Sequence, residues 1–152
     1  MADVFISYSS KDERLARFVH DHLGAENVSV FLASTSIELG QRWSPEILRN
    51  LNIAKWVIFL ASRHACASPY VQQELGAAIA ANKTLIPVIW DITPSELPGW
   101  VSQYQALNIA NKSITEVQSE VSGIAKRIRA KKADGLALFG LIIAGLVIAN
   151  KK

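Results

Sequence analysis

Residues 3–8 read Asp-Val-Phe-Ile-Ser-Tyr, and residues 55–61 read Lys-Trp-Val-Ile-Phe-Leu-Ala. Both runs are short, rich in β-branched and aromatic residues, and apolar without alternation. A strand with one wet face alternates apolar with polar; a strand covered on both faces has no reason to. The two runs therefore predict strands inside a parallel sheet with helices on each side. Residues 28–32 and 84–90 (Thr-Leu-Ile-Pro-Val-Ile-Trp) predict two more strands, and residues 105–109 a weaker fifth. Pro87 lacks a ladder donor, which argues for an edge or a bulge at that point.

Helical signals fill the gaps. Ser10 and Glu13 stand at capping-box spacing, followed by Leu15, Phe18, Val19 and Leu23 at helical intervals, with Gly24 as the expected stop. Ser44-Pro45 reads as a cap and a first helical residue, opening a helix to about Asn52 that turns Ile47, Leu48 and Leu51 inward. Ser68-Pro69 repeats the signal for a helix over residues 69–81. Ser113 and Glu116 again have capping-box spacing, before a basic amphipathic helix to about Lys132. Strands alternating with helices imply parallel pairing through crossover helices. Ligands in such sheets bind at the carboxyl ends of the strands. The segments after Tyr8, Leu32 and Leu60 are therefore the ones to search for chemistry.

Several function classes are disfavoured. Neither a G-x-G-x-x-G fingerprint nor a phosphate-binding P-loop follows the first strand. His20, His22 and His64 form no metal-ligand spacing, and nothing beside Cys66 marks it as an activated nucleophile. A single cysteine allows no internal disulfide. The N-terminus passes directly into the first strand and does not read as a secretory signal. Tyr70 and Glu74 stand four apart at the start of a helix, sharing one face near the strands' carboxyl edge. By position alone, a solvated first-turn glutamate is the simpler reading.

The net charge of +3 is local in origin: Lys126, Arg127, Arg129, Lys131 and Lys132 crowd together. No aromatic residue is interleaved with them, which argues against nucleic acid. Residues 135–149 (GLALFGLIIAGLVIA) carry no charge. As a helix they span about 22 Å, against about 30 Å for a bilayer core. The expectation is a basic juxtamembrane stretch and a hydrophobic C-terminal helix over residues 131–152, with membrane contact through 133–149; burial in an assembly is the alternative.

Asp3-Val4-Phe5-Ile6-Ser7-Tyr8-Ser9 with Lys11-Asp12 resembles the opening motif of TIR (Toll/interleukin-1 receptor) domains. Glu38-Leu39-Gly40-Gln41-Arg42-Trp43, the WVIFLAS run of residues 56–62, Ser68-Pro69-Tyr70 with Glu74-Leu75, and Ile86-Pro87-Val88 resemble that family's later motifs in the same order. The resemblance covers about residues 2–130, and the short form looks like bacterial members. It implies a flavodoxin-like α/β fold, a five-stranded parallel sheet in the order 2-1-3-4-5 with helices on both faces. It also implies one of two activities: cleavage of NAD⁺, as substrate, at the nicotinamide glycosidic bond, or scaffolding without catalysis. TIR–TIR self-association is implied by both, in a cytoplasmic domain that the tail would anchor to a membrane. For the enzymatic branch, the resemblance makes Glu74 the catalytic carboxylate. Ser7, Tyr8, Gly40, Trp43 and Tyr70 are the substrate-binding candidates, and no metal or cofactor is expected.

Overall fold

A computed structural model of the chain describes residues 2–34, 44–67, 76, 83–99 and 101–150, with backbone alone for 135–150. The strands are β1 (Val4–Tyr8), β2 (Val30–Ser34), β3 (Trp56–Leu60), β4 (Thr84–Ile89) and β5 (Leu107–Asn108). The helices described are α1 (Glu13–Ala25), α2 (Pro45–Ile53), the single turn α3 (Arg63–Cys66) and α4 (Ile114–Asn150). All pairings are parallel and the sheet order is β2-β1-β3-β4-β5. This is the sheet order expected from the family resemblance.

The sheet divides the core in two. Val4, Ile6, Ile58, Leu60 and Val88 point to the side covered by α1 and α4, where they meet Val19, Leu23, Val121, Ile124 and Ile128. Phe5, Val57, Phe59, Leu85 and Ile89 point to the other side, against Leu51 of α2 and Ala65 of α3. Every residue of β1 and β3 is buried, so neither strand has a polar face to alternate with.

Local chemistry sets the element ends, and several differ from expectation. Helix α1 does not stop at Gly24. Asn27, with φ of 65°, takes the left-handed conformation; its N–H donates to the Gly24 carbonyl and that of Val28 to Leu23. These two bonds make a Schellman motif, with Val28 buried in the same cluster as Leu23. Val28 therefore belongs to the helix terminus, and β2 begins two residues later than expected. At the front of α1, Ser9 receives the Lys11 N–H and a 3-10 turn over Ser10–Asp12 precedes the helix. The Ser10–Glu13 box is absent because Glu13 accepts from the Arg17 guanidinium instead, at 2.9 Å. Two of the three other expected caps form: Ser44 Oγ accepts from Ile47 N–H, and Ser113 exchanges bonds with Glu116; the Ser68-Pro69 cap and its helix lie outside the described residues, Gly76 apart. On α2, Leu51 is fully buried and Ile47 partly so, but Leu48 faces outward.

Pro87 is accommodated by register. The Thr84 N–H donates to the Lys55 carbonyl and the Val88 carbonyl accepts from Ala61. Even-numbered residues of β4 thus bond toward β3, and Pro87 turns its missing donor toward β5. There β5 pairs only with Val88 and Ile89, three residues shorter than the strand expected over 105–109.

The expected hydrophobic C-terminal helix is corrected. No separate element follows the basic helix: α4 is one helix from Ile114 to Asn150. Among the described residues, no helix is long and apolar enough to cross a membrane. The uncharged stretch is itself about 8 Å too short for a bilayer core. The basic cluster is also engaged by the domain rather than held out for headgroups. Arg129 donates to the Glu26 carbonyl at 2.7 Å, Lys131 lies 6.0 Å over the Trp56 ring, and Lys132 pairs with Asp3 at 3.4 Å. The transmembrane-helix expectation is overturned on these grounds.

Candidate active site

In this order the chain leaves β1 for β2 on one side and continues from β3 on the other. The switch point lies between β1 and β3, and ligands of such sheets enter at its carboxyl end. Ser7 and Tyr8 end β1, and Ala61-Ser62 follow β3. Consecutive strand residues face opposite sides of the sheet. Ser7 accordingly lies on the side of Phe5 and Phe59, and Tyr8 packs in the cluster with Leu60 and Ala16. Burial, with the nearby Glu13 charge, pushes the Tyr8 phenol above its ordinary pKa, and Arg17 partly offsets this. Ser7 is fully buried, and its Oγ has no hydrogen-bond partner among the described residues.

The turn after β3 is clamped from both sides. Ser62, also fully buried, donates its hydroxyl to Asp12 Oδ2 at 2.5 Å and accepts from the Ala65 N–H at 3.1 Å. This joins the turn after β1 to the cap of α3. One residue on, the Arg63 N–H donates to Asp91 Oδ1 and its guanidinium to the Asp91 carbonyl, both at 3.0 Å. Helix α3 is thereby tied to the segment after β4. It is an element the sequence patterns do not announce; its signal is Ser62, a buried serine after a strand that caps the turn.

The electrostatics around α3 are acidic. Burial and the charges of Asp91 and Glu96 push the Cys66 thiol up to about 11, so it stays protonated at neutral pH. The Glu96 carboxyl is held below its usual range, chiefly by the Thr93 N–H that it accepts at 2.6 Å. Among the described residues, no group of His, Cys, Asp or Glu is placed to hold a metal ion. A groove of about 740 Å³ lies elsewhere, where β3 and β4 begin, between Trp56, Leu85, Ile86 and the α4 residues Ile124, Arg127 and Lys131. Glu74, Tyr70, Gly40 and Trp43 lie outside the described residues.

A family model for the TIR domain matches residues 4–122. The chain belongs to the TIR domain family. A probable 2′ cyclic ADP-D-ribose synthase of the plant Brachypodium distachyon is 29% identical over 97 residues, which are 62% of this chain and 43% of that protein. This TIR chain thus matches less than half the length of its curated relative. Among solved structures, the TIR domains of the activated Roq1 resistosome superpose with a TM-score of 0.66 at 14% identity, over 81% of this chain and 98% of theirs. The TIR domain of a Toll-related receptor from Hydra magnipapillata gives 0.64 at 15%, over 85% and 99%. At such identities the structural likeness establishes the fold alone. The expectation of a bacterial-type member is corrected, since the relative matched by sequence is a plant protein.

Proposed function

We propose that this TIR domain cleaves NAD⁺ at the bond between nicotinamide and ribose, that self-association activates it, and that it serves immune-type signalling from the cytoplasm. The observation that carries the reading is the match to a probable cyclic ADP-ribose synthase through the TIR region itself. That relative's activity also favours a cyclic product over simple hydrolysis.

The chemistry asks little of the protein. Nicotinamide leaves as a neutral molecule, so the leaving group needs no proton from a general acid, unlike an ordinary glycoside, which needs two carboxyl groups. What remains is to stabilise a cationic, oxocarbenium-like ribose. One carboxylate bonded to the ribose hydroxyls does so, provided water is kept from screening it. Glu74 is assigned that role, with Tyr70 stacking on a ring of the substrate. Ser7 and Tyr8 at the end of β1, and Gly40 and Trp43 in the polar stretch of sequence between β2 and α2, complete the binding set. The cationic ribose is then captured by a nucleophile of the same molecule, giving a cyclic product, or by water.

The test is nicotinamide release by purified protein held at high local concentration on a surface. Glu74→Gln should lower turnover by about 10²–10³, the usual loss for one well-placed electrostatic group, with an unchanged circular dichroism spectrum. Equal turnover in the variant removes Glu74 from the mechanism. No release by clustered wild-type protein replaces the enzymatic reading with that of a scaffold acting through TIR–TIR contacts.

A further inference from the structure

We propose that Asp12 is a positioning residue of the cleavage site, acting through Ser62 to hold the carboxyl ends of β1 and β3 in register; the inference rests on the NAD⁺-cleaving reading. The residues are 50 positions apart in sequence, and their bond is the side-chain contact that crosses the switch point itself. Ser62 is fully buried and its hydroxyl is used twice, donating to Asp12 and accepting from the Ala65 N–H. A hydroxyl has one proton, so receiving the Ala65 N–H leaves that proton free for Asp12. Asp12 itself sits at the end of the 3-10 turn that separates β1 from α1, where its N–H donates to the Ser9 carbonyl.

An ordinary capping serine would need no carboxylate. Its lone pair already satisfies the first turn of α3, and water or a backbone carbonyl would serve for the proton. A carboxylate from another strand's loop adds a fixed distance between β1 and β3. The neighbouring Arg63–Asp91 pair sets the corresponding distance between β3 and β4. Between β1 and β3 the ladder ends at Ser7 and Phe59, so the rim on which substrate must be aligned is spaced there by the side-chain bond; between β3 and β4 the ladder runs on to the Ala61 N–H and the Val88 carbonyl. A misplacement of about 1 Å among reacting groups can lower a rate by about 10².

The experiment compares Asp12→Ala, Asp12→Asn, Ser62→Ala and the Asp12→Ala/Ser62→Ala double variant in clustered protein, with kcat and KM for NAD⁺ measured separately. The expected result is a loss of about tenfold or more in kcat for either alanine variant, with KM moved far less. The double variant should be no worse than the weaker single one, because both remove the same bond. Asparagine should restore most of the rate, since its amide oxygen accepts the same proton. Asparagine as inactive as alanine would overturn the proposal, for the charge would then act on substrate directly. Multiplying losses in the double variant, or unchanged kcat throughout, would also overturn it. If Ser62→Ala does not fold, the Asn and Ala variants of Asp12 decide alone. Absence of cleavage by the wild-type protein sinks the enzymatic reading instead; hydrogen exchange at the Ala65 amide, which donates to Ser62 Oγ, then tests whether Asp12 holds that hydroxyl in place: faster exchange in Asp12→Ala supports the positioning role and unchanged exchange overturns it.

Discussion

Replacing Ser7 by alanine should make this domain more stable and a poorer enzyme. The side chain is fully buried at the end of β1, and its Oγ has no hydrogen-bond partner among the described residues. A buried hydroxyl without a partner costs about 1–3 kcal/mol in lost hydration. Alanine removes the hydroxyl and leaves a void smaller than a methyl group, so packing loses little. Alanine's poorer strand propensity takes back a few tenths of a kcal/mol. The net gain is about 1 kcal/mol, which raises the melting temperature by about 2–4 °C for a chain of this size. Ser62 provides the opposite case in the same protein. It is equally buried, but its hydroxyl has two partners, so Ser62→Ala should destabilise by about 1–3 kcal/mol by stranding them. The assay is paired urea and thermal unfolding of the two variants, with nicotinamide release measured alongside. If substrate supplies the missing partner of Ser7, the stabilised variant should also turn over about tenfold more slowly, the usual cost of one hydrogen bond to a polarised group. A destabilised Ser7→Ala protein would refute the reasoning at its base, because the hydroxyl would have a partner after all. A stabilised variant of unchanged activity would remove Ser7 from the binding set.

Two further predictions concern groups near the site and at the far end of the sheet. With its thiol raised to about 11, Cys66 should react with iodoacetamide about a hundredfold more slowly at pH 8 than a thiol of ordinary pKa, its rate still climbing beyond pH 9. The folded chain holds this proton more tightly than the unfolded chain. The contribution to stability is therefore complete below about pH 9 and lost as pH rises toward about 11; fast alkylation at neutral pH would contradict the burial on which this rests. Arg129→Ala should lower stability by about 1 kcal/mol in urea unfolding. It removes the donor to the Glu26 carbonyl at the end of α1 and a part-exposed ion pair at 3.5 Å; a change too small to measure would mean that α4 is held by its apolar face alone.

Much of the fold is legible in the sequence because burial on two faces leaves a plain record. The runs at 3–8 and 55–61 admit almost nothing but covered strands, and two of the caps are written in serine and glutamate at fixed spacing. Where reading fails, a side chain was used in a different bond. Glu13 has the spacing of a capping box but pairs with Arg17, and Gly24 resembles a stop but Asn27 makes the turn. The short strand β5 is a tertiary effect, since the donor it lacks is absent from Pro87 on a neighbouring strand. The tail misled for a related reason. A basic cluster before an apolar run has the composition of a membrane anchor, but three of its five charges have partners inside the domain. Those partners, Glu26, Trp56 and Asp3, lie from 75 to 129 positions away in sequence, beyond the reach of any local pattern. The site is legible only in outline: strand order locates its rim, but the Asp12–Ser62 and Arg63–Asp91 bonds join loops that no spacing rule connects.

Pro87 has a consequence for what happens when two copies of this domain meet. Because β5 covers only Val88 and Ile89, the earlier half of β4 is the true border of the sheet. Exposed borders recruit foreign strands and seed fibres, the more readily when they are apolar, as this one is. A proline aimed outward takes one donor from that border and leaves Leu85 as the only residue before Val88 able to offer a complete pair of backbone groups to a newcomer. One rung cannot hold a ladder. A domain that the proposed activation crowds together is thus protected from growing by continuous backbone pairing along this side, and copies that meet there do so through side chains.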